Sequence, residues 1–185
     1  MKKNTALICI DVQKEYINEG RPLKIANVEK PMKNIITLLD FFRQHDYPIV
    51  HVQHVSKDLN DSTFAKGSEF VAFGDDVAPN AHEKVITKNV PGAFYSTELE
   101  DYLKSNQIEN VVICGFMSFM CCDTTAREAH ALGFNVYFLN DATAAIPIDN
   151  LSAEDIHEVT CAIQGWMFSK VVSTEDLISI ITKND

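Results

Sequence analysis

The sequence predicts an α/β fold: a three-layer, Rossmann-like open sheet, six-stranded and mostly parallel, with helices on both faces. Short, continuously apolar runs such as 6–10 and 111–114 are typical of strands that are buried on both faces. Segments with apolar residues at helical spacing separate these runs, as between the strands of right-handed βαβ units. No linker or shift in composition divides residues 1–185, so we expect one domain.

The elements of the first half follow from local patterns in chain order. The run 6–10 predicts the first strand, and the apolar spacing in 28–44 predicts a helix. Residues 48–54 predict the second strand. Residues 56–83 are irregular and rich in Asp, and a stretch of this length is typically functional or contains small elements of its own.

The second half continues the alternation of strand and helix. A short third strand is predicted at 84–87, followed by a helix at 97–105 that Ser96 or Thr97 caps. Gly133 is suited to end a later helix. The remaining predicted elements are strands at 110–115, 135–139 and 170–173 and helices at 121–132, 153–164 and 175–181.

Charge and cysteine content exclude several classes of protein. Sixteen basic against 26 acidic residues give a net charge of −10, which disfavours nucleic acid and membrane partners. The N-terminal apolar run is too short for a signal peptide, and no run reaches the length of about 18 residues that a membrane span needs. Five cysteines without zinc-like spacing indicate reduced thiols and a cytoplasmic protein.

Polar residues follow the predicted strands at the edge where ligands bind in open parallel sheets. Asp11 and Gln13 follow the first strand, His54 the second, and Lys88 the third. Asp11 is either a general base with a pKa raised by burial or a cap of the next turn. Lys88 is either functional or a solvated charge.

A cysteine follows the fourth strand where the next helix is predicted to begin. A thiol at a helix N-terminus has its pKa lowered by the unpaired N–H groups there, so Cys121 is a candidate nucleophile. Cys122 is the alternative, since helical spacing does not decide which thiol faces the site. Cys9, Cys114 and Cys161 are interpreted as small apolar residues of strands and a helix.

These residues together resemble the isochorismatase-like cysteine hydrolases, the superfamily that includes nicotinamidases and carbamoylsarcosine-type amidases. The resemblance extends from Ala6 to about Leu177. It depends on the segment 10–13, on Lys88 followed by Ala93 and Phe94, and on a signature in which the matching residues are Gly115, Cys121, Thr125, Ala126, Arg127 and Ala129. The register of that signature selects Cys121 over Cys122.

The resemblance implies a catalytic triad of Asp11, Lys88 and Cys121. It also implies a cis peptide bond between Phe116 and Met117, with the backbone N–H groups of Met117 and Cys121 forming an oxyanion hole. We expect Arg127 to be a structural ion-pair partner. The candidate pocket residues are Gln13, Tyr16, His54, Phe94 and Phe119, and His54 is alternatively a structural histidine.

The sequence lacks the Asp-x-His pair with which nicotinamidases bind a metal, since the matching stretch runs from His51 to Asp58. We therefore expect no metal and no cofactor. The function that the resemblance implies is hydrolysis of an amide, ureide or similar C–N bond of a small molecule through a thioester. The alternatives are vinyl ether hydrolysis of isochorismate and a non-catalytic thiol protein that senses redox state or binds a ligand.

We also expect a homo-oligomer, because members of the superfamily form dimers, tetramers or larger rings. The aromatic residues that could serve an interface or pack in the core are Phe70, Phe73, Trp166 and Phe168.

Overall fold

The computed structural model describes residues 4–58 and 61–183. Its strands form one six-stranded sheet in the order β3-β2-β1-β4-β5-β6, and all neighbouring strands are parallel. The α/β fold that the sequence predicts is therefore confirmed. The strands are β1 Thr5–Ile10, β2 Ile49–His54, β3 Lys84–Lys88, β4 Asn110–Phe116, β5 Asn135–Ala144 and β6 Lys170–Val172.

Helices connect the strands and cover both faces of the sheet. The α-helices are α1 Lys14–Ile17, α2 Glu29–Gln44, α3 Leu99–Ser105, α4 Asp123–Ala131, α5 Ala153–Ile163 and α6 Thr174–Lys183. Two π-helical turns, Ser118–Cys122 and Gln164–Phe168, precede α4 and follow α5. Within the described ranges, no helix has both the length and the apolar character that a membrane crossing requires.

Two hydrophobic cores lie on opposite faces of the sheet because alternate side chains of each strand point in opposite directions. On one face, Leu7 and Cys9 of β1 pack with α2 and α6. On the other face, Ala6, Ile8 and Ile10 pack with α3 and α4. The whole of β1 is buried, as its continuous apolar run predicts.

Several elements differ from the prediction. The four-residue helix α1 was not expected from the pattern. Strand β5 extends to Ala144 because a register shift lets residues 143–144 pair again with β4, although Asn140 and Asp141 interrupt the apolar run. Helix α3 begins at Leu99, and Thr97 Oγ1 accepts a hydrogen bond from the Leu99 N–H at 3.2 Å.

Candidate active site

The strand order reverses between β1 and β4, and open sheets of this order bind ligands beyond the carboxyl ends of the strands at that point. Asp11 directly follows β1 there, fully buried and in a left-handed conformation with φ 50°. Its N–H donates to Val52 O at 3.0 Å, which extends the pairing with β2. Non-glycine residues rarely adopt this conformation, and such residues are concentrated at functional sites.

Gly115 lets β4 approach β1 closely beneath the site. A Cβ atom at this position would lie 2.0 Å from Ile10 O, and the backbone has a φ of +112°. The Phe116–Met117 peptide bond that follows is cis. The chain then enters the π-helical turn at Ser118, where the Cys122 N–H donates to Met117 O at 3.1 Å.

The prediction that a helix begins at Cys121 is wrong by three residues. Helical structure starts at Ser118, so Cys121 is the fourth residue of the segment and belongs to the π-helical turn rather than to α4. Such turns are frequent at functional sites. Sequence periodicity gives no sign of this turn, because residues 116–122 are apolar apart from Ser118.

Three side chains from three strand ends meet in this buried region. Lys88 Nζ lies 2.7 Å from Asp11 Oδ2, and neither side chain has any exposed surface. The same nitrogen donates to Cys121 Sγ at 3.3 Å and to Val90 O at 3.2 Å. Lys88 is therefore not a solvated charge, and the structure brings together the three residues that the resemblance singles out.

The electrostatics of the group favour a neutral thiol at rest. Burial raises the pKa of Cys121 above its ordinary value, and the charge of Asp11 raises it further, while Lys88 opposes both effects in part. Burial also raises the pKa of Asp11, against the lowering by Lys88. Burial would lower the pKa of Lys88, but Asp11 and Cys121 raise it. Carboxylate, ammonium and thiol together then carry no net charge.

This arrangement corrects the expectation that the Cys121 pKa is lowered by a helix N-terminus. A thiolate would place a second negative charge beside Asp11 in a buried region, and one ammonium offsets only part of that cost. Both carboxylate oxygens of Asp11 are buried, and apart from the ion pair of Oδ2 with Lys88 neither has a well-aligned hydrogen-bond partner among the described residues.

Cys121, not Cys122, is the thiol of this site. Cys121 is 5% exposed and contacts Lys88, whereas Cys122 is fully buried in the core beside α3 and α4. Arg127 pairs with Asp123 at 2.8 Å and lies over the Phe168 ring, which confirms its structural role.

Two residues of α4 that the motif analysis did not assign to the site hold the segment after Lys88. Thr125 Oγ1 accepts a hydrogen bond from the Ala93 N–H at 3.2 Å, and Glu128 Oε2 accepts from the Phe94 N–H at 3.1 Å. A Cβ on Gly92 would lie 2.2 Å from Glu128 Oε1. The helix that follows Cys121 is thereby fixed to the segment that follows Lys88.

Aromatic side chains form one wall of the site. Tyr16 is buried, and its ring lies 5.3 Å from that of Phe64 and 5.8 Å from that of Phe116. Phe119, half-buried in the π-helical turn, packs against the same core. The ring of Phe64 lies 5.0 Å from that of His54. Sequence reasoning missed Phe64, because its loop has no periodic pattern.

Two of the predicted pocket residues have other roles. The Gln13 amide donates to His54 O at 2.9 Å and to Val71 O at 2.7 Å, and its oxygen accepts from the His54 N–H at 2.8 Å. It joins β2 to the loop that follows β2, so its polar atoms are occupied by backbone. The Phe94 ring stacks on Phe134 in the core, with centroids 6.0 Å apart.

A carboxylate oxygen of Asp11, a ring nitrogen of His54 and Cys121 Sγ lie within 4.8 Å of one another, a set that suits a metal ion in principle. Lys88 Nζ lies 2.7 Å from Asp11, 3.1 Å from His54 and 3.3 Å from Cys121. Its ammonium occupies the position of a cation among these groups. His51 of the preceding strand is bound instead to Glu83, at 2.8 Å.

Several known proteins are similar to this chain in sequence and in structure. The family model of the isochorismatase domain matches residues 5–176. An isochorismatase family protein of Bacillus subtilis, YddQ, is 33% identical over 92% of this chain and 97% of its own length. Nicotinamidase 3 of Arabidopsis thaliana is 28% identical over 95% of this chain and 87% of its own. The crystal structure of a putative isochorismatase from Burkholderia xenovorans is 32% identical, with a TM-score of 0.91 over 97% of this chain and 88% of that one.

Proposed function

The chain belongs to the isochorismatase family of hydrolases, and we propose that it hydrolyses a C–N bond of a small amide or ureide through a thioester on Cys121. The observation that carries this proposal is the position of the Lys88 ammonium between the carboxylate of Asp11 and the thiol of Cys121. A thiol, a base and a cation in contact are the groups that nucleophilic acyl transfer requires.

In the first step, Cys121 Sγ attacks the carbonyl carbon of the substrate as Asp11 accepts the thiol proton. The S–C bond forms, and the carbonyl electron pair moves onto oxygen. The backbone N–H groups of Met117 and Cys121 are the proposed donors to that oxyanion. Lys88 keeps its charge and stabilises the thiolate as it forms, so no free thiolate accumulates beforehand.

In the second step, Asp11 returns its proton to the substrate nitrogen, the C–N bond breaks and the amine leaves. The acyl group then remains on Cys121 as a thioester. Water attacks this thioester while Asp11 acts as base, and the carboxylic acid and the thiol are released. The raised pKa of Asp11 suits it to both roles, since a carboxylate with an ordinary pKa is a weaker base.

The charges around the site support an uncharged substrate. Lys88 is paired with Asp11, and Arg21, which follows α1, is paired with the buried Glu15 at 2.8 Å. Neither cation is available to a substrate carboxylate. An amide or ureide therefore suits the site better than isochorismate, which carries two carboxylates.

The test is a substrate screen with two matched variants. Wild type, Cys121→Ser and Cys122→Ser are assayed against nicotinamide, simple ureides and isochorismate. We expect hydrolysis of an amide or ureide that Cys121→Ser abolishes and Cys122→Ser retains, because Cys122 lies in the core. Activity on isochorismate alone that survives Cys121→Ser would instead support the vinyl ether reaction, which needs no covalent thiol.

A thiol protein without turnover is the candidate from another class. It would need a reactive cysteine but no carboxylate to carry the proton to a leaving group. The contact between Lys88 and Asp11 has no purpose in such a protein, so we favour the enzyme.

We also propose that the chain self-associates. Trp166 is 82% exposed on the π-helical turn after α5, and Met167 of the same turn and Val159 of α5 are also exposed. Phe70 and Phe168 instead lie beneath Arg21 and Arg127, and Phe73 lies against His51. Sedimentation velocity tests this: Trp166→Glu should lower the mass of the assembly, whereas an unchanged mass would exclude this surface as the interface.

A further inference from the structure

The position of His54 is fixed from two sides. It is the cross-strand partner of Lys88 in the β2–β3 register. Its backbone N–H and C=O are both bound by the Gln13 amide, at 2.8 Å and 2.9 Å. The ring is therefore held at the edge of the sheet with Nδ1 3.1 Å from Lys88 Nζ.

This contact determines which ring nitrogen carries the hydrogen. The ammonium can only donate, and its three hydrogens are shared among four neighbours, Asp11, His54, Val90 and Cys121. In the contact with His54 it is therefore Nδ1 that accepts, and a neutral ring then has its hydrogen on Nε2. Protonating the ring would bring two cations to 3.1 Å in a half-buried position. Burial and the charge of Lys88 lower the pKa of His54 to about 4, against the opposing charge of Asp61.

A neutral hydrogen-bond acceptor is suited to the position of the His54 ring because a charged one would change the pKa of the Cys121 thiol. The ammonium must be held towards Cys121, yet each additional negative charge nearby raises the thiol pKa further. A carboxylate in place of His54 would hold Lys88 but hinder ionisation of Cys121. The imidazole supplies a lone pair without a charge.

We propose that His54 is a positioning residue of the active site, whose Nδ1 accepts a hydrogen bond from Lys88 and so holds the ammonium against Cys121. This inference rests on the proposed function, since it requires that Lys88 assists ionisation of Cys121. The competing role is packing, because the His54 ring also lies edge-on to Phe64.

Two variants separate the two roles. His54→Asn places an amide oxygen close to the position of Nδ1 but removes the ring. His54→Phe keeps the ring and its contact with Phe64 but removes both nitrogens. The measurement is the rate at which iodoacetamide modifies Cys121 as a function of pH, resolved by peptide mass spectrometry, with thermal unfolding as a control of the fold.

We expect the profile of His54→Phe to move to higher pH by about one unit, a roughly tenfold lower rate at a given pH, while His54→Asn stays near wild type. A His54→Phe profile like wild type, or an equal loss in both variants, would overturn the inference. Lys88→Met is included in the same series: if it leaves the profile unchanged, the proposed function itself fails, whereas a shift in Lys88→Met but not in His54→Phe refutes only the role of His54.

Discussion

Lys88 Nζ lies 3.3 Å from Cys121 Sγ, and both side chains are buried. The same nitrogen is 2.7 Å from Asp11 Oδ2, so one ammonium stabilises negative charge on two groups, and a charge on either group disfavours a charge on the other. If the thiol proton passes to Asp11, the thiolate is left beside the ammonium and the group still carries no net charge. Asp11 thus raises the pKa of the Cys121 thiol, whereas Lys88 lowers it.

Asp11→Asn should lower the pKa of the Cys121 thiol and yet abolish turnover. The charge of Asp11 raises the thiol pKa, so its removal leaves the thiolate paired with Lys88 alone. The variant lacks the group that carries the proton to the leaving nitrogen, and we expect hydrolysis to fall by about 100-fold or more. A titration of thiolate absorbance, with Asp11→Asn/Cys121→Ser as the blank, measures the shift. A thiol pKa that rises in this variant would contradict the account.

Lys88→Met should have the opposite effect on the thiol. Without the ammonium, nothing opposes burial and Asp11, so the thiol pKa rises and both alkylation and hydrolysis slow by about 100-fold. The matched control is Lys104→Met, which removes an exposed lysine that pairs with Glu100 on α3. Activity should be unchanged in the control. Equal rates in the two variants would show that Lys88 has no part in the chemistry.

The sequence was informative about the elements because the buried strands are continuous in their apolar character. Strand β1, at Thr5–Ile10, begins only one residue before the predicted strand. The polar residues at the strand ends also predicted the edge of the sheet at which Asp11, Lys88 and Cys121 meet. The motif at Cys121 was needed as well, since periodicity alone did not distinguish it from Cys122.

Side-chain direction and desolvation could not be predicted in the same way. Phe94 follows the predicted turn after Lys88, but its ring turns to Phe134 because of contacts that α4 makes with the segment. Phe64 lies in a loop and has a left-handed conformation with φ 52°. The sequence of such a loop has no periodic pattern from which the position of Phe64 could be predicted. The sign of the Cys121 pKa shift depends on burial by neighbours that are distant in the sequence.

Gly115→Ala should prevent folding or lower the free energy of unfolding by about 4 kcal/mol or more. The added Cβ would lie 2.0 Å from the backbone oxygen of Ile10, at a φ of +112°. Gly133→Ala is the matched control, because it has a φ of +89° but no atom within 4 Å of the added Cβ. It should cost roughly 1–2 kcal/mol for the left-handed backbone alone. Urea denaturation measures both values, and equal losses would contradict the close approach of β1 and β4.

Glu83 should make the free energy of unfolding depend on pH in the acid range. Burial would raise its pKa, but hydrogen bonds from Arg43, the Asn80 N–H and His51 lower it to about 2. A carboxylate with a lowered pKa in the folded state stabilises the protein above its ordinary pKa and loses that contribution as the pH falls towards the folded value. The free energy of unfolding should therefore fall between about pH 4.5 and 2, and less steeply in Glu83→Gln. The same slope in both proteins would refute this role.

The central claim is that Cys121 is the nucleophile of a coupled group, and its most direct test is iodoacetamide labelling of each cysteine of the wild-type protein across a pH series. The account predicts that the labelling rate of Cys121 keeps rising with pH through and beyond the pH range in which ordinary thiols ionise. This pH profile should move to lower pH in Asp11→Asn and to higher pH in Lys88→Met. The half-buried Cys161 should respond to neither substitution. A Cys121 profile that is unchanged in both variants would contradict the account.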